Sequence, residues 1–124
     1  MRNLFFWVFI YSLMIAFSQI LLKIGLTKMP VFSAKNFSEL FLVGWSVVRN
    51  PYILFGTALM GGSYFLWLAI LSWFNLSLAY PLTAIGFVFV AALSYFMLGE
   101  TLMLFNYFGI VLIAGGIFLL LYKF

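Results

Sequence analysis

The chain has 124 residues, of which 68% are hydrophobic, 23% are aromatic and only 6% are charged. A soluble domain of this size cannot bury so much apolar surface, and a disordered chain needs high charge and few aromatic residues, so both classes are excluded. The net charge of +4 is small and suits basic loop ends or an anionic ligand better than a nucleic acid.

These proportions make lipid the solvent for most of the chain. A spanning helix takes about 20 mostly apolar residues, and the apolar segments lack the alternation that a spanning β-barrel needs. The sequence therefore predicts an all-α membrane protein, a single transmembrane domain over residues 1–124. Its four transmembrane helices are expected at about 4–26, 51–74, 78–98 and 101–121.

A polar loop follows the first span. Ser38 is then a predicted N-cap, and Glu39 suits the positive end of a helix. The apolar stretch that they open, Leu40 to Val48, is too short to cross a bilayer. We expect a short interfacial helix between the first and second spans, with an early start to the second span as the alternative.

The later boundaries carry clear helix signals. Asn50-Pro51 provides a cap and a first helical residue for the second span, and the turn at 75–77 is so short that the second and third spans must be antiparallel neighbours. Pro81 removes a backbone hydrogen bond and predicts a kink in the third span. Thr101 is predicted to cap the fourth span. Glu100 is expected to have a structural role near that helix start, with proton coupling as its alternative.

Basic residues are nearly balanced between the two ends of the predicted bundle. Lysine and arginine counts bias membrane orientation, and here the bias is weak and would place both termini outside. One end holds Arg2 and Lys123, and the other holds Lys28, Lys35, Arg49 and possibly Lys23. Because a nearly balanced chain can insert both ways round, an antiparallel dimer with eight helices and two facing halves is expected.

Gln19 and Lys23 are the most informative polar residues inside a span. They are four residues apart on the first helix and so share a face. A lysine there can neutralise a phosphate, and a glutamine can hydrogen-bond a headgroup or a sugar. The structural alternative is that Lys23 extends to the water interface while Gln19 bonds a neighbouring helix.

Several residues of the second and third spans are candidates for a pocket. Tyr64 and Trp67 are three apart, and Tyr80 and Thr83 flank the bend expected at Pro81. Kinked helices beside a cavity are typical of alternating access. The alternative is that the aromatic residues are packing or interface anchors and that the kink serves packing alone.

Glycines in the fourth span form a predicted packing face. Gly109 and Gly116 are seven residues apart, two helical turns on one face, with Gly115 beside them. Because small residues let transmembrane backbones approach closely, we interpret this stripe as a surface for helix packing and dimerisation.

The residue inventory argues against an enzyme. The sequence has no histidine and no cysteine, and Ser18 and Lys23 are badly spaced to act as a nucleophile and its base. A metal site would need a cluster of ligands that the sequence lacks. No catalytic residue, metal or cofactor is predicted.

Three motifs in order resemble the drug/metabolite transporter superfamily. They are Ala79-Tyr80-Pro81, then Leu98-Gly99-Glu100 after an aliphatic span, then residues 109–116 with their glycines. The four-helix length and the spacing of Gln19 and Lys23 extend the likeness over most of the chain. Two branches have this size: the small multidrug resistance transporters, and the small EamA-type proteins that include subunits of the aminoarabinose–undecaprenyl phosphate flippase.

The residues favour the second branch. Small multidrug resistance transporters are expected to have a glutamate eight residues before the lysine that matches Lys23, and that position is Ile15 here. Their third-span tryptophan is replaced by Thr83. The flippase-like branch is more similar through Ser18-Gln19 and Ala79-Tyr80-Pro81, although Gly86 or a neighbour stands where that branch has an asparagine.

The resemblance implies a dimerising bundle, a homodimer or a heterodimer with a paralogue, in a bacterial inner membrane. Its expected substrate is a polyprenyl-phosphate-linked sugar. In such a protein Lys23 and Arg49 would neutralise the phosphate. The sugar would be surrounded by Gln19, Tyr64, Trp67, Tyr80 and Thr83. Helices would rock at Pro81 and at the pair Gly61-Gly62.

Two alternatives remain at the level of sequence. One is a small multidrug-type exporter of cationic compounds, against which Ile15 argues because no carboxylate stands in the usual place. The other is a membrane subunit that scaffolds a larger complex without transporting. Polar groups at Gln19 and Lys23 argue against the scaffold, because they are unfavourable inside a membrane without a function.

Overall fold

The computed structural model describes residues 2–29 and 36–122. Four helical segments in this part are long and apolar enough to cross a membrane. Their bounds are Asn3–Thr27, Pro51–Trp73, Leu76–Leu98 and Leu104–Tyr122. No β-strand occurs in the described ranges, so the predicted class, an all-α protein with four spans and an additional short helix, is confirmed.

Six α-helices and one π-helical turn make up these spans and the short helix between them. They are α1 (Arg2–Thr27), α2 (Phe37–Arg49), α3 (Pro51–Trp73), α4 (Leu76–Leu82), α5 (Ile85–Leu93), the π turn Ser94–Leu98, and α6 (Leu104–Tyr122). Helices α4 and α5 with the π turn form the third span, which is therefore broken, while the first, second and fourth spans are single helices.

Helices α1 and α3 form the main antiparallel pair, and Asn50 joins one end of it. The Asn50 Oδ1 atom accepts a hydrogen bond of 3.0 Å from the Tyr52 backbone N–H, and its Nδ2 atom donates one of 2.9 Å to the Gly25 carbonyl. The cap that the sequence predicts before Pro51 is thus confirmed. The same side chain also ties the end of α1 to the start of α3.

Two glycines allow the backbones of α1 and α3 to approach closely. A Cβ atom on Gly25 would lie 2.7 Å from Ile53 Cγ1, and one on Gly56 would lie 3.0 Å from Leu22 Cγ. Both contacts are shorter than packed carbon atoms tolerate, because carbon atoms pack best at about 3.5–4.0 Å. A larger residue at either crossing would require the neighbouring side chain to shift, most of all at Gly25, and neither glycine was among those that the sequence pattern interpreted as packing or hinge sites.

The break in the third span follows Pro81. Helix α4 ends at Leu82, and α5 begins at Ile85. Between them the backbone N–H groups of Thr83 and Ala84 reach only three residues back, at 3.0 and 3.1 Å. Pro81 has no N–H and cannot bond the carbonyl four residues earlier, so it favours this local change of geometry.

The start of the fourth span differs from the prediction. Gly99 adopts a φ of +67°, the left-handed conformation that favours glycine, and ends the π turn. Helix α6 then begins at Leu104 rather than at residue 101. Thr101 therefore lies in the connection and does not cap the helix, and the glycine turn is longer than expected.

Helix α2 is the short helix that the sequence predicts between the first and second spans, with a different start; its interfacial position remains a prediction. It begins at Phe37 after Asn36, so Ser38 lies in its first turn and is not the N-cap. None of the residues of α2 is buried. Phe37, Phe41 and Trp45 lie at successive four-residue steps on one exposed apolar face, which is the pattern of a helix lying in a membrane interface.

The buried core is small and lies where the start of α1 meets the end of α3, helix α4 and one residue of α6. It is formed by Leu4, Val8, Ile70, Ala79, Leu82 and Ile117. Helix α6 contributes only Ile117 to the buried residues. A Cβ atom on Gly109, Gly115 or Gly116 would meet no atom within 4 Å. These glycines do not pack within the protomer, and the dimer face remains a prediction.

Candidate functional site

A cavity of about 390 Å³ lies between α1 and the broken third span. Its lining comprises Tyr11, Ser12, Ile15 and Gln19 on one side and Thr83, Gly86, Phe87 and Val90 on the other. The structure therefore brings together two of the predicted binding residues, Gln19 and Thr83. This volume lies within the range of small-molecule sites, about 300–1,000 Å³.

The α1 wall of the cavity is one helical stripe. Ser12, Ile15 and Gln19 are three and then four residues apart, which places them on one face. Lys23 continues this stripe one turn beyond Gln19, about 6 Å further along the axis. It is exposed, and it lies toward the end of α1 where Lys28 and the Arg49 end of α2 are also found. A positive charge thus stands at one end of an uncharged polar wall.

Ser12 differs from two other buried serines, Ser18 and Ser63, in its hydrogen bonding. The side chain is 1% exposed, yet its Oγ atom has no hydrogen-bond partner among the described residues. Two other buried serines bond their own helix instead. Ser18 Oγ donates to the Ile15 carbonyl at 2.6 Å, and Ser63 Oγ donates to the Met60 carbonyl at 2.7 Å.

Thr83 combines a backbone role with a place in the cavity. Its Oγ1 atom donates a hydrogen bond of 2.6 Å to the Tyr80 carbonyl, at the break that follows Pro81. Such a bond compensates locally for the interrupted helix. The hydroxyl proton is engaged in that bond, while the oxygen lone pairs can still accept a hydrogen bond.

The cavity lining contains no acidic side chain. The sequence has two acidic residues, Glu39 and Glu100, and both lie outside the four spans. Ile15, which stands where small multidrug resistance transporters are expected to have a glutamate, is itself a lining residue. A carboxylate at this position would have faced the cavity, so the replacement makes the cavity neutral.

Aromatic rings connect this cavity to a second one. Tyr11 is stacked on Trp67 with ring centroids 5.1 Å apart, and Trp67 meets Tyr80 edge-on at 6.2 Å. The second cavity, of about 410 Å³, is lined by Trp67, Tyr80 and Pro81 together with Leu76 and Ser77. Three residues of the predicted site, Trp67, Tyr80 and Pro81, therefore lie together in the second cavity, beside the first one.

Three predicted binding residues, Lys23, Tyr64 and Arg49, line neither cavity. Tyr64 is exposed, lines neither cavity, and has its ring 6.1 Å from that of Phe65. Arg49 ends α2, and its guanidinium lies 5.8 Å from the Trp45 ring centroid. Substrate roles for Tyr64 and Arg49 remain predictions.

The Gly61-Gly62 pair lies in an unbroken part of α3. A Cβ atom would meet nothing within 4 Å at Gly61, and only Met14 Cε at 3.8 Å at Gly62. Neither glycine is required by packing, and bending at this pair remains a prediction.

Sequence reasoning missed Tyr11, Ser12 and Gly86 as lining residues. The stripe of Ser12, Ile15, Gln19 and Lys23 was available as a signal, since its steps of three and four residues follow one face of a helix. Gly86 had no comparable signal, because its place opposite Ser12 depends on how the third span crosses α1.

Several curated proteins are similar to this chain. The chain is 36% identical over 73 residues to a protein of Pectobacterium atrosepticum named probable 4-amino-4-deoxy-L-arabinose-phosphoundecaprenol flippase subunit ArnE, a match covering 59% of this chain and 65% of that protein. For an ArnE subunit of Aeromonas hydrophila the identity is 32%, covering 61% of this chain and 67% of the relative.

One relative matches along nearly the full length. A probable flippase subunit ArnF of Proteus mirabilis is 28% identical over 126 residues, covering 99% of this chain and 95% of the relative. For three of the ArnE relatives the match spans somewhat less than two thirds of their length, 63–65%. No family model matches the chain, and no solved structure matches it significantly.

Proposed function

Because this chain belongs to the family of the ArnE and ArnF flippase subunits, we propose that it moves a polyprenyl-phosphate-linked sugar across the membrane by alternating access. It is a transporter rather than an enzyme. The observation that carries the proposal is the cavity between α1 and the third span, whose uncharged and mainly apolar lining holds a few polar groups and whose α1 face continues into the exposed Lys23.

A lipid-linked sugar poses a specific physical problem. Its polar headgroup must cross a hydrocarbon core of about 30 Å while its polyprenyl tail stays in lipid. The cavity between α1 and the third span supplies polar side chains at membrane depth, with Gln19 and Thr83 on opposite walls. The headgroup exchanges water for these groups, and the tail remains outside the bundle.

The phosphate is assigned to Lys23. With the sugar beside Gln19, a phosphate one helical turn away lies within reach of the Lys23 ammonium group. At 4 Å two unit charges attract by about 1 kcal/mol in water and about 4 kcal/mol near a protein surface. Arg49 lies at the interface next to Trp45 and is assigned to first contact with the headgroup.

The switch between the two access states is assigned to the broken third span. The break after Pro81 lies between the two cavities, with Thr83 lining one and Pro81 lining the other. Interrupted helices beside a binding site are a recurrent feature of transporters. Tilting of α4 against α5 would open one cavity while closing the other.

The working unit is proposed to be a dimer in a bacterial inner membrane, either of two copies of this chain or with a paralogous subunit. The glycines of α6, where an added Cβ atom would meet no atom of the protomer within 4 Å, would form the dimer face. Close approach of helices at such small residues is favourable in membranes.

Export of cationic drugs is disfavoured, because the described cavity lining has Ile15 and no carboxylate.

The test is headgroup translocation in vesicles with the purified protein. A short-chain polyprenyl phosphate carrying radiolabelled glucose is added outside, and the fraction protected from an external glycosidase is followed in time. We expect the wild type to move it and Lys23→Ala to slow it by about tenfold or more, since hydrogen bonds involving charged groups contribute about 1.5–3 kcal/mol. Gln19→Ala should slow it by about 2- to 10-fold, because a hydrogen bond between neutral groups contributes about 0.5–1.5 kcal/mol.

Lys28→Ala is the matched control. Lys28 carries the same charge near the same end of α1, but it lies five residues beyond Lys23 and so off the Gln19 face, and its ammonium nitrogen lies over the Tyr52 ring at 4.2 Å. The proposal is overturned if the wild type moves no lipid-linked sugar. The site assignment is overturned if all three variants behave alike.

A further inference from the structure

Resting on the proposed function, we infer that the second cavity, between Trp67 and the start of the third span, is a second subsite for the sugar at the membrane end opposite Lys23. The Trp67 ring binds the sugar there by stacking. The headgroup crosses by passing from the first cavity to the second along three contacting aromatic rings. The switch in the third span then moves the sugar between two subsites instead of exposing one subsite to two sides.

The second cavity lies at the opposite end of the bundle from Lys23. The hydrogen bond from Asn50 to the Gly25 carbonyl joins the end of α1 to the start of α3, near Lys23. At the other end, the rings of Trp7 and Trp73 lie 5.5 Å apart and join the start of α1 to the end of α3. Helix α4 begins three residues after Trp73 and provides most of the lining of the second cavity.

The two cavities together reach across the depth of a membrane. From Lys23 to Tyr11 is twelve residues of α1, or about 18 Å along the helix axis. Trp67, which stacks on Tyr11, lies six residues before the end of α3, or about 9 Å from it. These two distances add to nearly the thickness of the hydrocarbon core, about 30 Å. The first cavity covers only part of that depth, so a headgroup that crosses needs a further subsite beyond Tyr11.

Three aromatic rings form a continuous path between the cavities. Tyr11 lines the first cavity and stacks on Trp67 with an angle of 30° between the ring planes, while Trp67 and Tyr80 line the second cavity and meet at 61°. The centroid distances, 5.1 and 6.2 Å, lie within the range of paired aromatic rings, about 4.5–7 Å. Trp67 is partly buried and packs against the core, so its ring is held at the boundary between the cavities.

The lining of the second cavity matches the two kinds of surface that a sugar presents. A sugar ring has C–H groups on its faces and hydroxyl groups at its edge. Trp67 and Tyr80 offer apolar ring faces that also carry a polar N–H or O–H group, and Ser77 adds a hydroxyl that can donate and accept. Ser77 and Tyr80 are exposed, so a headgroup can enter this cavity from the side while its tail stays in lipid.

The first experiment places a unique thiol in the second cavity. The sequence has no cysteine, so Ser77→Cys introduces a single one. Its rate of modification by a small methanethiosulfonate reagent is measured in phosphatidylcholine nanodiscs, with and without a saturating short-chain glucosyl polyprenyl phosphate. We expect the lipid to slow modification by about 3-fold or more, because a ligand bound in a cavity covers its walls.

Ser72→Cys is the matched control for the thiol. Ser72 is exposed near the same end of α3, bonds the Ala69 carbonyl at 2.7 Å and lines neither cavity. We expect the glucosyl lipid to leave its modification rate unchanged. Equal protection of the two thiols would show that the effect is not confined to the cavity and would overturn the second subsite.

The same polyprenyl phosphate without a sugar separates binding of the sugar from binding of the tail. We expect this lipid to leave the modification rate of Ser77→Cys unchanged. Equal protection by both lipids would show that the second cavity holds the tail or the phosphate. Absence of protection by the glucosyl lipid would show that it holds no part of the substrate. Either result overturns the second subsite.

The second experiment tests the ring of Trp67 in the vesicle assay. Trp67→Phe keeps an aromatic face, and Trp67→Leu replaces it with an aliphatic side chain. Because stacking contributes beyond the burial of apolar area, we expect Trp67→Leu to move the glucosyl lipid about 2- to 10-fold more slowly than Trp67→Phe. Trp73→Leu is the control on the same helix, since Trp73 pairs with Trp7 and lines neither cavity. It should transport like the wild type.

Protection of the introduced thiol distinguishes binding by Trp67 from a structural role. Added to Ser77→Cys, Trp67→Leu should remove the protection by the glucosyl lipid, and Trp67→Phe should keep it. A loss of stability alone would lower the melting temperature without this difference. Equal protection in the two double variants would show that the Trp67 ring does not bind the sugar.

These outcomes separate the second subsite from the proposed function. If the wild type moves no lipid-linked sugar, the proposed function is wrong and the second subsite falls with it. If the wild type moves the glucosyl lipid while Ser77→Cys is not protected, the transport function stands and the second subsite is wrong.

Discussion

The contact between α1 and α3 at Gly25 gives the sharpest stability prediction. Gly25→Ala adds one methyl group where the two helices cross. The new Cβ atom would lie 2.7 Å from Ile53 Cγ1 and 3.2 Å from both the Ile53 backbone nitrogen and Asn50 Oδ1. The Ile53 side chain can rotate, but the backbone nitrogen cannot move unless the helices separate.

The expected magnitude has two parts. Overpacking of a close contact typically destabilises by about 1–3 kcal/mol. Separation of the helices would also weaken the hydrogen bond from Asn50 Nδ2 to the Gly25 carbonyl, now 2.9 Å, which contributes about 0.5–1.5 kcal/mol. Together the change is about 2–4 kcal/mol, which at about 4–8 °C per kcal/mol lowers the melting temperature by about 8 °C or more.

The assay is thermal unfolding of the purified protein in one detergent, followed by circular dichroism at matched concentration. Gly61→Ala is the control, because a Cβ atom there meets nothing within 4 Å, and alanine favours a helix by up to about 1 kcal/mol over glycine. The double variant Gly25→Ala, Ile53→Ala should recover part of the loss if the two side chains clash.

Two outcomes would refute the reasoning. If Gly25→Ala melts at the same temperature as Gly61→Ala, the two helices do not cross as closely as the structure shows. If Gly25→Ala is destabilised but Ile53→Ala recovers nothing, the loss does not arise from the contact with Ile53.

Two further predictions concern the break and the open glycine face. Pro81→Ala restores a backbone N–H at the break in the third span. We therefore expect higher thermal stability, greater hydrogen-exchange protection over residues 77–86 and slower headgroup transport. Faster transport would contradict the assignment of the switch to this break. Gly116→Leu fills a surface that no atom of the protomer approaches within 4 Å, so the dimer fraction in native mass spectrometry should fall while protomer stability is kept. Gly44→Leu, also on an open surface, is the control, and equal dimer fractions in both variants would place the interface elsewhere.

Because charged and polar residues are scarce in this sequence, some of the cavity-lining residues could be identified from the sequence alone. A polar residue inside an apolar span is conspicuous, so Gln19 was identified from the sequence and does line the cavity. Thr83 was identified through its proximity to Pro81. Ser12 is small and common in membrane helices, and only its burial without a hydrogen-bond partner distinguishes it from Ser18.

For the glycines, the sequence pattern did not identify the positions that pack most closely against a neighbouring helix. The sequence pattern pointed to Gly61, Gly62 and the stripe on α6, yet the two glycines at which an added Cβ atom would meet the closest neighbours are Gly25 and Gly56. Which glycine faces a neighbour depends on the rotation and crossing of two helices, and neither is encoded in local spacing. Likewise, Thr101 was expected to cap the fourth span, but the left-handed turn at Gly99 is followed by an extended connection, and α6 begins at Leu104.

The sequence by itself determined the lipid solvent, the four spans, the short helix between the first two of them and the boundary at Asn50-Pro51, because hydropathy and capping act over a few neighbouring residues. The tertiary structure alone decided that Ser12, Ile15 and Gln19 face Thr83 and Gly86 across one cavity. It also decided that Tyr64 and Arg49 lie away from it. The physical reason is that a helix in lipid can bury any of its faces, and only packing against a neighbour selects which one.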